Sequence, residues 1–234
     1  MRINKFISET GFCSRREADK WVESGKVTIN GETAVLGSQA EEGDDVRVDG
    51  RPLNAKKQSH VYIALNKPVG ITSTTERHIK GNIVDFVGHS ERIFPIGRLD
   101  KDSEGLILLT SDGDVVNKIL RAEGKHEKEY IVTVDKPVTA SFLTGMAGGV
   151  KILGEMTLPC TITRVSERVF KIILTEGKNR QIRRMCSAFG YSVRKLQRIR
   201  IMNIKLGSLP KGVWRDLTDA EKSELSSVLN YELQ

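Results

Sequence analysis

The spacing of apolar positions changes period several times along the chain. RINKFISETG places Ile3, Phe6 and Ile7 on one helical face. SRREADKWVESG predicts a second short helix, with Ser14 as N-cap, Glu17 completing a capping box and Gly25 as the stop. KVTINGETAV alternates about Asn30-Gly31, a strong hairpin signal, and EEGDDVRVDG adds a turn and a short strand. These elements make residues 1–48 a small module that would bury little by itself. DGRPLNAKKQSH, residues 49–60, is polar and reads as a linker. From 61 to 234 the pattern mixes. VYIAL, GLILLT, EYIVTV and RVFKIILT predict strands, while DGDVVNKILRA, RQIRRMCSAFG and TDAEKSELSSVLN predict helices, the last opened by a Thr218/Glu221 capping box. Strands and helices do not alternate strictly, so the expected class is α+β with a mixed, mainly antiparallel sheet.

Charge changes the picture. The net charge of +7 suggests a polyanionic partner. No Asp or Glu occurs from Gly177 to Trp214, a span that holds Lys178, Arg180, Arg183, Arg184, Arg194, Lys195, Arg198, Arg200, Lys205 and Lys211. A one-sign field of that size repels itself unless an anion answers it, and a phosphate-tracking surface is one answer; a solvated basic face is the other. In VRKLQRIRIMNIKL neither alternate face is cleanly apolar, so the core face stays unassigned. Lys5, Arg15, Arg16 and Lys26 give the N-terminal module its own basic set. Two basic surfaces on either side of a linker favour a long polyanion over a small acidic metabolite. Cys13, Cys160 and Cys186 form no CxxC pair, and the four histidines show no ligand spacing, which argues against zinc and for a reducing compartment. No apolar signal region opens the chain and no apolar run approaches the roughly 18 residues of a membrane span, so a cytoplasmic protein is expected.

The densest chemistry lies in IGRLDKDSEGLILLT, residues 96–110. Asp100, Asp102, Glu104 and Gly105 fit the first half of a calcium loop, but position twelve is Ser111 and an apolar run replaces the polar second half. A solvated turn suits Asp102, Ser103 and Glu104. Asp100 follows Leu99 at the exit of an apolar segment, where a carboxylate is costly unless paired, and an Arg from the acid-free stretch is the natural partner.

GRLDKDSEGLILLT, together with NKPVG (66–70), KEY (128–130) and GKNRQIRRM (177–185), resembles the pseudouridine synthases, and among them the RsuA/RluB/RluE/RluF branch that modifies ribosomal RNA. RIMN (200–203) and GNIVDF (81–86) narrow the resemblance within that branch. Residues 2–48, with RINKFIS, SRREAD and VTINGE, resemble the alpha-L RNA-binding module that precedes the catalytic domain there.

The resemblance implies isomerisation of a uridine in structured RNA, without cofactor or metal. Large-subunit ribosomal RNA is the expected substrate and a transfer RNA the alternative; no DNA or membrane partner is expected, and the chain is expected to be a monomer. It makes Asp100 the reactive carboxylate and Arg183 its ion-pair partner, the alternative for Arg183 being a plain phosphate contact. Tyr130 would stack on the uracil and handle the proton at the ring carbon; by pattern alone it is an ordinary strand aromatic. Arg98 would fill the space of a flipped-out base, or else make a structural ion pair. Lys67, held extended by Pro68, would shape the pocket wall, and Lys128 shares the strand face of Tyr130. Arg180, Arg184, Arg198 and Arg200 are the expected phosphate contacts. The rivals are a non-catalytic RNA-binding or ribosome-assembly protein and a hydrolase working through paired carboxylates.

Overall fold

A computed structural model describes residues 1–53, 60–120 and 125–233. The chain divides into two compact units, Met1–His60 with Ser111–Gly113, and Val61–Thr110 with Asp114–Gln234. Residues 54–59 of the expected linker, and Arg121 and Ala122 of the expected helix, lie outside the described residues.

In the first unit, helices α1 (Ile3–Glu9) and α2 (Arg15–Glu23) accompany a four-stranded sheet of order β2-β1-β3-β4, formed by β1 (Val27–Ile29), β2 (Glu32–Thr33), β3 (Val46–Val48) and β4 (Arg51–Pro52). Ile3, Phe6 and Ile7 are buried as their spacing predicts, against Ala18, Val22, Val27 and Val46. The Ser14 hydroxyl caps α2 by accepting the Glu17 N–H at 3.1 Å. Asn30 and Gly31 both take positive φ (51° and 88°), the requirement of a two-residue turn between paired Ile29 and Glu32.

The second unit is built on β5 (Tyr62–Lys67), β6 (Phe94–Pro95), β7 (Glu104–Thr110), β8 (Lys128–Val134), β11 (Thr161–Ser166), β12 (Val169–Leu174), β13 (Val193–Ile201), β14 (Ile204–Lys205) and β15 (Trp214–Asp216). The main path of the sheet runs β11-β12-β8-β13-β7-β5-β15, with β14 on β13 and β6 on β7. A separate hairpin joins β9 (Lys151–Ile152) to β10 (Glu155–Met156). The helices are α3 (Ile83–Val87), α4 (Gly113–Leu120), α5 (Ala140–Ala147), α6 (Gln181–Ala188) and α7 (Asp219–Leu229). Every pairing in the large sheet is antiparallel except β13 with β7.

The continuous apolar run GLILLT follows from burial on both faces of the sheet. Ile107 and Leu109 enter a core with Phe142, Met146, Ile182 and Met185. Leu106 and Leu108 enter a second core with Val115, Ile119, Leu225 and Leu229. The mixed pattern of β13 also has a physical cause. Its register against β8 shifts between Val193 and Lys195 and again between Arg198 and Arg200. Such bulges reset the alternation, so Leu196, Arg198 and Ile201 are all buried although their spacing is two and then three. At the β7–β13 pairing, Gly105 lies opposite Arg198 with φ +103°. A Cβ there would overlap the Arg198 backbone, so only glycine lets the two strands meet.

Candidate active site

A cleft of about 650 Å³ opens within the second unit. One wall is the segment that connects β6 to β7. Leu99 is buried there and held on both backbone groups by Ser73, whose Oγ donates to the Leu99 carbonyl (2.8 Å) and accepts its N–H (3.2 Å). Two residues on, the Lys101 carbonyl accepts the Gly70 N–H at 2.8 Å. Between these two anchors sits Asp100, half-buried and lining the cleft. Tyr130 and Lys128, on one face of β8, form another wall. Leu196, Arg198 and Ile201 contribute from β13, and residues 174–182 close the far side.

The three carboxylates of the turn have different surroundings. Asp102 takes two hydrogen bonds from Arg180 (3.0 and 2.9 Å) and lies 3.5 Å from Arg183 Nε. The Arg180 hydrogen bonds hold its carboxyl below the ordinary range. Glu104 is nearly fully buried and paired with Lys211 (2.7 Å) and Lys195 (3.0 Å). Burial pushes the Glu104 carboxyl up, but the two lysines outweigh it and the net shift is downward. Among the described residues, the ion-pair partner of Asp100 is Arg180, at 3.9 Å.

Two expectations are corrected here. The pair Asp100–Arg183 is not formed: Arg183 donates to the Asp102 carbonyl (3.0 Å) and the Ser103 hydroxyl (3.2 Å), and Arg180 is the cation beside Asp100. The turn is not solvated throughout, because Ser103 and Glu104 are buried and only Lys101 and Asp102 remain outside.

Beneath the carboxylate wall lie buried cations. Lys67 is fully buried, donating to the Pro68 and Ile71 carbonyls (both 2.9 Å). Burial and the nearby Arg198 charge bring its pKa down to about 8, against the opposing pull of Asp100, Asp102 and Glu104. Burial and Arg198 lower Lys128 as well. Arg198 itself is buried, donates through Nε to the Leu106 carbonyl at 2.6 Å, and its Nη2 has no partner among the described residues. The interior below the cleft is therefore lined by the cations Lys67, Lys128 and Arg198.

Residues 61–188 match the RNA pseudouridylate synthase family, and residues 1–46 match the S4 domain. The chain belongs to the RNA pseudouridylate synthase family. It is 57% identical over 98% of its length to the dual-specificity RNA pseudouridine synthase RluF of Escherichia coli K12, covering 79% of that protein. It is 32% identical over 98% of its length to the ribosomal large subunit pseudouridine synthase B of Bacillus subtilis 168, covering 97% of that protein. A crystal structure of a pseudouridylate synthase superposes with a TM-score of 0.70 at 30% identity, over 97% of this chain and 99% of the other. As a member of this family the synthase is an isomerase that acts on RNA, with an RNA-binding S4 domain ahead of its catalytic domain.

Of the expected site residues, the synthase cleft gathers Asp100, Tyr130, Arg98, Lys128, Arg180 and Arg198. Arg98 is exposed at the rim and makes no ion pair among the described residues. Lys67 lies below the cleft and Arg183 behind the turn. Arg184 is exposed and bonded to the Asn179 carbonyl (3.1 Å) and amide oxygen (3.2 Å). Arg200 is bound to Glu129 (2.7 Å) and Glu127 (2.9 Å). This corrects the reading of the acid-free stretch as an unanswered field. Carboxylates distant in sequence (Asp102, Glu104, Glu127, Glu129 and Glu155) meet Arg180, Arg183, Lys195, Lys211, Arg200 and Lys178. In the S4 unit Lys5 pairs with Glu9 (3.4 Å) and Lys26 with Asp49 (3.5 Å), while Arg15 and Arg16 lie exposed on the first turn of α2. Sequence reasoning missed Ser73 and Gly105. Ser73 sits in the polar stretch GITSTT, which carries no periodic signal, but a glycine opening the apolar strand run GLILLT is a sequence clue to close backbone approach.

Proposed function

We propose that the synthase converts a specific uridine in structured RNA to pseudouridine, with Asp100 as the reactive carboxylate. The observation that carries this reading is the seat of Asp100. It is half-buried between backbone anchors on Leu99 and Lys101, in a cleft shared with Tyr130, and it is less saturated by cations than Asp102 or Glu104. The reaction breaks the bond between the ribose and uracil N1, turns the base, and joins the ribose to C5. The C5 hydrogen leaves as a proton and N1 gains one, so atoms balance without an oxidant or a second substrate. Asp100 acts at the sugar or base through its free carboxylate oxygens, with Arg180 beside it at 3.9 Å. Tyr130 packs against the uracil and takes part in the C5 proton transfer. The target must first be flipped from its stack, at a cost of a few kcal/mol, and exposed Arg98 at the rim fills the vacated space. Arg180, Arg184 and the S4 residues Arg15 and Arg16 contact phosphates.

Large-subunit ribosomal RNA is the proposed substrate. A transfer RNA is a second one, favoured by the dual-specificity name of the 57% identical relative. The test is tritium release from ribosomal and transfer RNA transcripts labelled at uracil C5. The wild type should release tritium from at least one of them and the Asp100→Ala variant from none, with RNA affinity held. Binding without release by the wild type on every transcript would leave only the non-catalytic RNA-binding reading.

A further inference from the structure

Among the described residues five hairpins are closed by two residues, and only the β9–β10 turn places an exposed bulky apolar side chain in the left-handed region. Asn30-Gly31 and Asp49-Gly50 fill two of the turns with residues that tolerate positive φ at both positions. In the β13–β14 turn Met202 takes φ +52°, but it is buried in the core beside Ile201 and Ile204, so packing compensates. The β9–β10 turn, between paired Ile152 and Glu155, uses Leu153 (φ +52°) and Gly154 (φ +84°). Leu153 is 57% exposed, so its side chain gains little from the fold, and a bulky residue in the left-handed region without packing is strained. Asparagine would serve the turn better. Two further apolar side chains on the same short segment face outward, Met156 at 60% and Leu158 at 47% exposure.

The hairpin is tied to the cleft wall. Glu155 accepts from Lys178 Nζ at 2.6 Å, and the Leu158 N–H donates to Glu176 at 2.9 Å. Both Lys178 and Glu176 line the cleft. A strained apolar tip, anchored beside the mouth of a cleft that receives a base, suits contact with exposed base and ribose faces. Apolar side chains such as Leu and Met are what proteins insert against partly unstacked bases.

We propose that the 151–158 hairpin is an RNA-contacting element in which Leu153 and Met156 pack on nucleotides flanking the target uridine. This rests on reading the cleft as an RNA site, but the two fail separately. The hairpin is judged by equilibrium binding of ribosomal and transfer RNA transcripts, which needs no turnover, whereas the reading of the cleft falls if the wild type never releases tritium. The Leu153→Asn variant should be more stable than the wild type, melting about 2–4 °C higher. It should also bind the transcript about tenfold more weakly, with KM raised to match and kcat retained. Met156→Ser, at an exposed site, should weaken binding several-fold without lowering the melting temperature, and it stands alone if the first variant expresses poorly. A purely structural turn would give the gain in melting temperature with no loss of affinity. Kd and KM within twofold of wild type for both variants would overturn the proposal. So would a loss seen only on assembled ribosomal particles and not on naked transcripts, which would make the hairpin a protein-docking element.

Discussion

Asp100 and Glu104 stand four residues apart and show how differently one fold treats two carboxylates. Glu104 opens a central strand, is nearly fully buried, and has a lysine on each oxygen. Asp100 projects from the preceding turn with its backbone neighbours held, and a single guanidinium at 3.9 Å. The first is ion-paired on both oxygens and belongs to the architecture. The second is fixed in position yet has unused hydrogen-bonding capacity among the described residues, which suits the role proposed for it. Density of charge along the chain does not separate them; the number and closeness of their ion pairs do.

The comparison can be broken by exchanging the consequences of substitution. The largest expected effect is on turnover. Asp100→Asn should lower kcat by about a thousandfold or more. Its melting temperature should stay within a degree or two of wild type and its RNA Kd within about threefold, both measured on purified protein. Glu104→Gln should do the reverse, lowering stability by roughly 1–3 kcal/mol in denaturant unfolding while folded molecules retain kcat. If Glu104→Gln abolished turnover in a fully folded population, the division between the two carboxylates would fail.

Next come the guanidinium groups. Arg180→Ala removes the cation nearest Asp100 and frees Asp102, and a fall in kcat of roughly ten- to a hundredfold is expected. Arg183→Ala removes contacts to the Asp102 carbonyl and Ser103, and should act more weakly through the shape of the turn. A larger loss for Arg183 would mean that Asp100 changes partner when RNA binds.

The acid limb of stability gives a smaller effect. The net downward shift of Glu104 means that its pairing stabilises fully above the ordinary glutamate range, near pH 4.5. That contribution is lost as pH falls through the depressed folded value, because the unfolded chain takes up the proton first. Glu104→Gln should therefore flatten the decline of unfolding free energy below about pH 5. The smallest effect is that of Lys195→Ala. Its side chain is 54% exposed and Lys211 remains, so less than about 1 kcal/mol is expected.

Much of the scaffold was legible because local chemistry and final structure agree. The Asn30-Gly31 turn, the Ser14 and Thr218 caps and the apolar strand 104–110 follow from residues near in sequence. Asp100 was also recognisable as a carboxylate out of place. Its surroundings were less so. The acid-free stretch 177–214 implied an external anion, yet its partners Glu104, Glu127 and Glu129 arrive on strands β7 and β8 and the segment before β8. Charge balance is settled in three dimensions, and a one-dimensional run of arginines does not report it. Likewise the bulges in β13 hide which face is inward, and Ser73 acts through a contact 26 residues away.

The parallel pairing of β7 with β13 has a consequence for how the enzyme is made. Arg198 reaches the Leu106 carbonyl across 92 residues, whereas β11 and β12 are joined by a short local connection. Loop closure of that length is slow, and a nascent chain emerges at only about 5–20 residues per second. The cleft therefore has no floor until translation has passed β13, although the S4 unit can already form. A partly synthesised chain would bind RNA without modifying it. Ribosome-stalled chains ending before Val193 should show RNA binding and no tritium release, and those extending past β15 and α7 should show both.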